Sequence, residues 1–181
     1  MSPNIVVRRK YYGKYRGTVF NNIDPEKKGR IQAIVPDVLK QIPTTWATPC
    51  LPVTGIPGVQ SGVYLLPPKL ANVWMEFEHG DVNYPIWSGC FWGSVSEVPL
   101  VAQAATPATP AIVMQTVGQN TLWIGGDAAT GITVSCGPAV TPTSPQIKIS
   151  QAGILISDGK NGTILIAAGT VTINSGALII K

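Results

Sequence analysis

A chain of 181 residues with 12% charged and 45% apolar residues, 19 Gly and 16 Pro is neither a disordered polymer nor a helical bundle. So few charges beside so many apolar residues suggest either that much surface is buried against other chains or that a lone chain is poorly soluble. The net charge of +4 is uneven: residues 1–30 hold eight Lys or Arg against Asp24 and Glu26, which reads as a solvated terminus, as a docking point for an acidic surface or as a nucleic-acid contact.

Residues 1–11 form a polar, basic lead-in, and residues 12–93 read as short strands separated by turns. Strands are expected at Tyr15–Phe20, Arg30–Val35, Trp46–Leu51, Ala71–Glu78 and Tyr84–Phe91, with a turn over Asn21–Gly29. The alternation of Val73, Met75 and Phe77 with Trp74, Glu76 and Glu78 is the clearest of them. A helical turn is expected only near Val38–Gln41. Five short strands in this length fit a small closed barrel of the OB type. Residues 94–111 are small and Pro-bearing, and are expected to be an extended linker.

Residues 112–181 change character. Strands are expected at Ile112–Val117, Thr121–Ile124 and Gly131–Cys136, their register with the strands after Gln146 being open. From Gln146 onward a pattern repeats. Ile147 and Ile149 recur 17 residues later as Ile164 and Ile166, and Ile154 and Ile156 recur as Val171 and Ile173. Period-2 apolar positions at a constant spacing mean stacked β-structure. Such strands bury one face each and have no second layer within one chain. Each Ile or Val left wet forgoes about 1.5–3 kcal/mol. Closing several copies round one axis supplies the missing layer and removes free edges, and three strands per layer make a triangular prism. These eight residues are therefore candidates for an inward-facing core.

No pattern carries catalysis. His79 is the single histidine and lies among Glu76, Glu78 and Asp81 at a turn, where polar residues belong anyway. The Gly13–Gly17 and Gly125–Asp127 stretches lack the Lys-Ser/Thr of a phosphate loop. Cys50, Cys90 and Cys136 are widely spaced and read as buried free thiols. Trp46, Trp74, Trp87 and Trp92 could stack bases, but no basic residue lies between Lys40 and Lys69 or between Lys69 and Lys148, so no nucleic-acid groove is expected. No apolar run of 18 residues and no apolar leader is present, so neither a membrane-spanning helix nor a signal peptide is expected.

Three motifs occur in order: Asp24 to Arg30 as D-P-x-x-x-G-R before a strand ending in Val-Pro, Val73 to Asp81 as V-W-x-E-F-E leading to Gly-Asp, and Tyr84 to Gly89 as Y-P-I-W-S-G. Over residues 12–93 the chain resembles the OB domain of phage baseplate assembly protein V, also found in contractile-tail central spikes and in VgrG. The tail resembles the family only in architecture. The resemblance implies an all-β chain, an OB barrel followed by an intertwined trimeric β-helix needle over 112–181. It implies a homotrimeric structural spike below a tail-tube hub, driven through the target cell's outer membrane, with no catalysis and no cofactor, in a virion baseplate or an extracellular injection particle. An OB binding module for nucleic acid or glycan on a trimeric stalk is the alternative. Within the family reading, Arg8, Arg9 and Lys10 are candidates for hub docking. Spikes of this kind can hold an iron at the tip through His-x-His, and this sequence has no such pair. Its apolar end, Leu178, Ile179, Ile180 and Lys181, suggests contact with a separate PAAR-type tip protein.

Overall fold

The computed structural model describes residues 9–137 and 143–180, and the chain separates into one compact unit ending at Gly93 and another beginning at Ser94. The first unit holds β1 (Tyr15–Asn21), β2 (Gln32–Ile34), helix α1 (Pro36–Leu39), β3 (Thr48–Pro49), β4 (Thr54–Ile56), β5 (Val59–Gly62), β6 (Asn72–Phe77) and β7 (Pro85–Cys90). Five of these strands form one sheet in the order β2-β1-β6-β7-β3. The β3–β7 pair is parallel and the others are antiparallel. The sheet closes because Ile31 and Ala47 exchange backbone hydrogen bonds of 3.2 and 2.7 Å. This is the OB topology expected from the strand count.

Alternation puts every second residue inside. Val73, Met75 and Phe77 of β6 are buried with Val19, Ile31, Ala33, Val35, Ala47 and Trp87. Gly17 in β1 lets the strands approach: a Cβ there would sit 2.9 Å from Met75 Cγ. Trp87 is anchored as well as packed, its Nε1 donating to the Gly29 carbonyl at 3.0 Å. The lead-in is tied down from Arg9 onward, since the Tyr11 N–H donates to the Gly80 carbonyl at 2.9 Å and the Tyr11 ring packs on the core.

The second unit departs first from expectation in residues 94–111, which do not run extended. They form a tight turn at Val95–Glu97, helix α2 (Leu100–Gln103) and a turn closed by Thr109 N–H on the Thr106 carbonyl. Pro99 leads into α2, and the Gln103 side chain donates to the carbonyls of Val95 and Val98. These bonds satisfy a backbone that composition alone suggested would be solvated.

Eight strands complete the unit: β8 (Ile112–Gln115), β9 (Thr121–Ile124), β10 (Ile132–Ser135), β11 (Gln146–Ser150), β12 (Gly153–Ser157), β13 (Thr163–Ala167), β14 (Thr170–Ile173) and β15 (Leu178–Ile180). Each pairs antiparallel with the next, giving one eight-stranded meander. Seven intervals of about 4.8 Å make this sheet about 34 Å long across its strands. The 17-residue repeat is thus a pair of strands: β11–β12 recurs as β13–β14.

Candidate functional site

The register of the meander aligns its aliphatic residues into two ladders on one face. The first runs Ile112, Ile124, Ile132, Ile149, Ile154, Ile166, Val171 and, by backbone pairing, Ile180. The second runs Met114, Leu122, Val134, Ile147, Ile156, Ile164, Ile173 and Leu178. Direct cross-strand partners share a face, so neither ladder is broken by a polar residue. All eight residues singled out by the 17-residue spacing lie in these ladders. Ile112, Met114, Leu122, Ile124, Ile132 and Val134 were missed as core candidates. Their i, i+2 alternation was visible, but only the observed pairing sets their register.

The burial of this sheet is inverted. Ile147, Ile149, Ile156, Ile164 and Ile166 are 37–48% exposed, and Ile112 is 60% exposed. Ile154, Val171 and Ile173 are half-buried. On the opposite face, Thr121, Thr133 and Ser135 are buried. The connecting segment packs against the start of this sheet: the Thr109–Pro110 backbone passes so close to Gly126 that a Cβ there would meet Thr109 C at 2.5 Å. Among the described residues, Trp123 Nε1, Thr133 Oγ1 and Ser135 Oγ are buried without a hydrogen-bond partner. A soluble monomer places its apolar face inside and its polar face outside. Here the aliphatic face is the open one, and a shallow pocket lined by Ile156, Ile164 and Ile173 lies beside the 158–162 turn.

Polar turns bound the ladders. Asp158 organises the 158–162 turn, its Oδ1 accepting from Lys160 N–H at 2.8 Å and Gly162 N–H at 3.0 Å. Asn174 Oδ1 accepts from Thr163 N–H at 3.0 Å. The tip candidates fall in β15, where Leu178 is exposed and Ile179 and Ile180 pair with Thr172 and Val171; Lys181 lies outside the described residues. Of the hub-docking candidates, Arg8 lies outside the described residues. Arg9 sits over the Tyr11 ring at 5.2 Å, and both Arg9 and Lys10 are exposed beside Asp81 and Asn83.

The aromatic residues of the barrel divide. Trp87 is core, and Arg30 sits 5.7 Å from the Trp46 ring. Arg16 lies over both Trp74 and Phe91, at 5.1 and 4.6 Å from their centroids. That aromatic platform is therefore covered by the protein's own cation rather than open to a base. Trp92 is exposed. The cysteines correct an expectation: all three thiols are free but exposed rather than buried. Cys136 continues β10 on the aliphatic face, which is open in one chain. His79 occupies an exposed turn with a left-handed backbone, φ 49°.

Comparison with known families gives the same division. Residues 15–92 match the type VI secretion system/phage-baseplate injector OB domain. Residues 111–179 match the phage baseplate V C-terminal trimerisation domain. No individual curated protein gives a significant match. The second match accounts for the open aliphatic face, because a trimerisation domain completes its core only with two further copies. With both domains present in family order and together spanning most of its length, the chain belongs to the phage baseplate assembly protein V family, as a homotrimer-forming structural protein of the baseplate.

Proposed function

We propose that this protein is the central spike of a contractile-tail baseplate, a cell-envelope-piercing needle carried below the tail-tube hub. One observation carries the reading: two uninterrupted aliphatic ladders stand open along a sheet about 34 Å long. Three such faces turned toward one axis make a dry triangular core that covers both aliphatic ladders. Ile147, Ile149, Ile154, Ile156, Ile164, Ile166, Val171 and Ile173 fill it. The barrels form a collar, and the basic start of the chain, Arg8 to Lys10, docks to the hub. Force passes along the needle to β15, where Leu178 to Lys181 meet a PAAR-type tip protein. The role is mechanical, and the particle is a virion tail or an extracellular injection device.

Absolute mass in solution tests the assembly. Three chains of 19.1 kDa give about 57 kDa, and a core closed by apolar ladders keeps that mass at high salt. A monomer at micromolar concentration would remove the basis for the needle. Electron microscopy of the intact tail tests the placement. The spike reading expects this chain on the tail axis beneath the tube, with tip density beyond Lys181; its presence at the baseplate periphery would refute the reading.

A further inference from the structure

Successive connections in an antiparallel meander alternate between the two lateral edges of the sheet. In the repeating part they also alternate in length. Two-residue turns at 151–152 and 168–169 lie on one edge, and longer turns at 158–162 and 174–177 lie on the other. The short turns are tight: Ala168 and Gly169 both have positive φ, 49° and 74°. The 158–162 turn is a preformed projection. Besides the two bonds to Asp158 Oδ1, Asp158 N–H donates to the Gly162 carbonyl, and Gly159 N–H donates to Ser157 Oγ.

Each turn stands at the level midway between the strands that it joins. The 158–162 turn therefore stands one strand spacing, about 4.8 Å, from the level of 151–152 and one from the level of 168–169. A three-fold axis makes heterologous contacts, so one copy's long-turn edge meets the next copy's short-turn edge. With strands perpendicular to the axis, the long turn arrives at the gap between two short ones.

We propose that the edges of this sheet interlock in the trimer like cog teeth, the 158–162 turn of one chain seating between the 151–152 and 168–169 turns of a second copy. The repeat length follows from this: two strands, one long turn and one short turn advance the pattern by one tooth. Exposed Ala152, Ala168 and Gly169 leave room for the projection. The inference rests on the homotrimer. It adds which edges touch and at what height.

Engineered cysteines test it in the full chain, with Cys50, Cys90 and Cys136 changed to Ala. Asn161→Cys is combined with Ala168→Cys in one variant and with Ala152→Cys in another. Within one chain these positions lie on opposite edges, about 17 Å apart, beyond the reach of a disulfide. Any bridge formed under mild oxidation with copper phenanthroline is therefore between chains. The expected result is covalent dimer and trimer as the main species on a non-reducing denaturing gel. A control pair three strand levels away, Asn161→Cys with Asp127→Cys, stays monomeric on the same gel. Light scattering of the same samples separates the failures. A trimer of normal mass with no cross-link above the control overturns the interlock and leaves the trimer standing. A monomeric mass in the Cys-free parent overturns both. A benzophenone photo-probe at Lys160, read by mapping the cross-linked peptide, repeats the test without thiols. Attachment anywhere but residues 150–153 or 167–170 of another chain contradicts the proposal.

Discussion

The Asp24 carboxylate holds the first long turn of the barrel from inside. It accepts N–H bonds from Glu26, Lys28 and Arg30 at 3.0, 2.8 and 3.2 Å, and its Oδ1 takes both Nε and Nη2 of Arg30 at 3.1 and 2.7 Å. The Arg30 guanidinium foremost, then those N–H groups, hold its carboxyl well below the usual carboxylate range, against the opposing effect of burial. A carboxylate whose folded pKa is depressed contributes stability that is complete above its unfolded value, about 3.9, and that is lost as pH falls toward the folded one. Asp24→Asn should therefore lower the melting temperature of the barrel at pH 7, and the gap from wild type should narrow between pH 4 and pH 2. A gap that stays constant down to pH 2 would mean that the turn is held by shape rather than charge. Trp87 offers a second residue-scale test. Its indole N–H is the partner of a buried backbone carbonyl, so Trp87→Phe should cost about 1–3 kcal/mol in denaturant unfolding of the barrel. A cost below about 0.5 kcal/mol would show that the bond to Gly29 is dispensable.

At the scale of elements, β13 is the most informative strand. Ile166 pairs with Ile154 on one side and Val171 on the other, at the centre of a ladder. In a lone chain it is 42% exposed, so Ile166→Asp should leave the monomer nearly unharmed. In the trimer the same change places three carboxylates round the axis without partners, at about 3–5 kcal/mol per chain. The expected outcome is loss of the trimer in sedimentation with barrel fluorescence unchanged. A variant that still sediments as a trimer would put Ile166 outside the core. The strands themselves were legible: alternation located β1, β2, β6, β7 and β9 to within a few residues, and the D-P-x-x-x-G-R turn identified the barrel. The 17-residue spacing singled out eight positions that all lie in the two ladders, yet spacing alone could not say whether the repeat was a solenoid coil or a hairpin pair, because both give constant offsets. The exposed hairpin β4–β5 was missed because Thr54–Gly62 has neither apolar alternation nor a buried residue. Helix α2 was missed because a Pro-Ala segment reads as extended until a side chain such as Gln103 binds its carbonyls.

For the whole molecule, the two units stand on different thermodynamic footing. The barrel closes its own core within one chain, with side chains such as Ile31, Val73 and Met75 almost fully buried. The meander has no such core: its large aliphatic residues stay partly exposed until other copies cover them. Stability drawn from association depends on protein concentration, whereas stability drawn from an intrachain core does not. The full chain should therefore melt in two steps. The step reported by tryptophan fluorescence, four of the five tryptophans lying in the barrel unit, should be independent of dilution. The step reported by loss of β-sheet circular dichroism should move down as the protein is diluted or, where dissociation is slow, depend on the heating rate. Ile166→Asp should erase the second step and keep the first. A single transition that ignores concentration and heating rate would mean that the barrel and the sheet unfold as one body. The assembled trimer would then not be a separate part built by association.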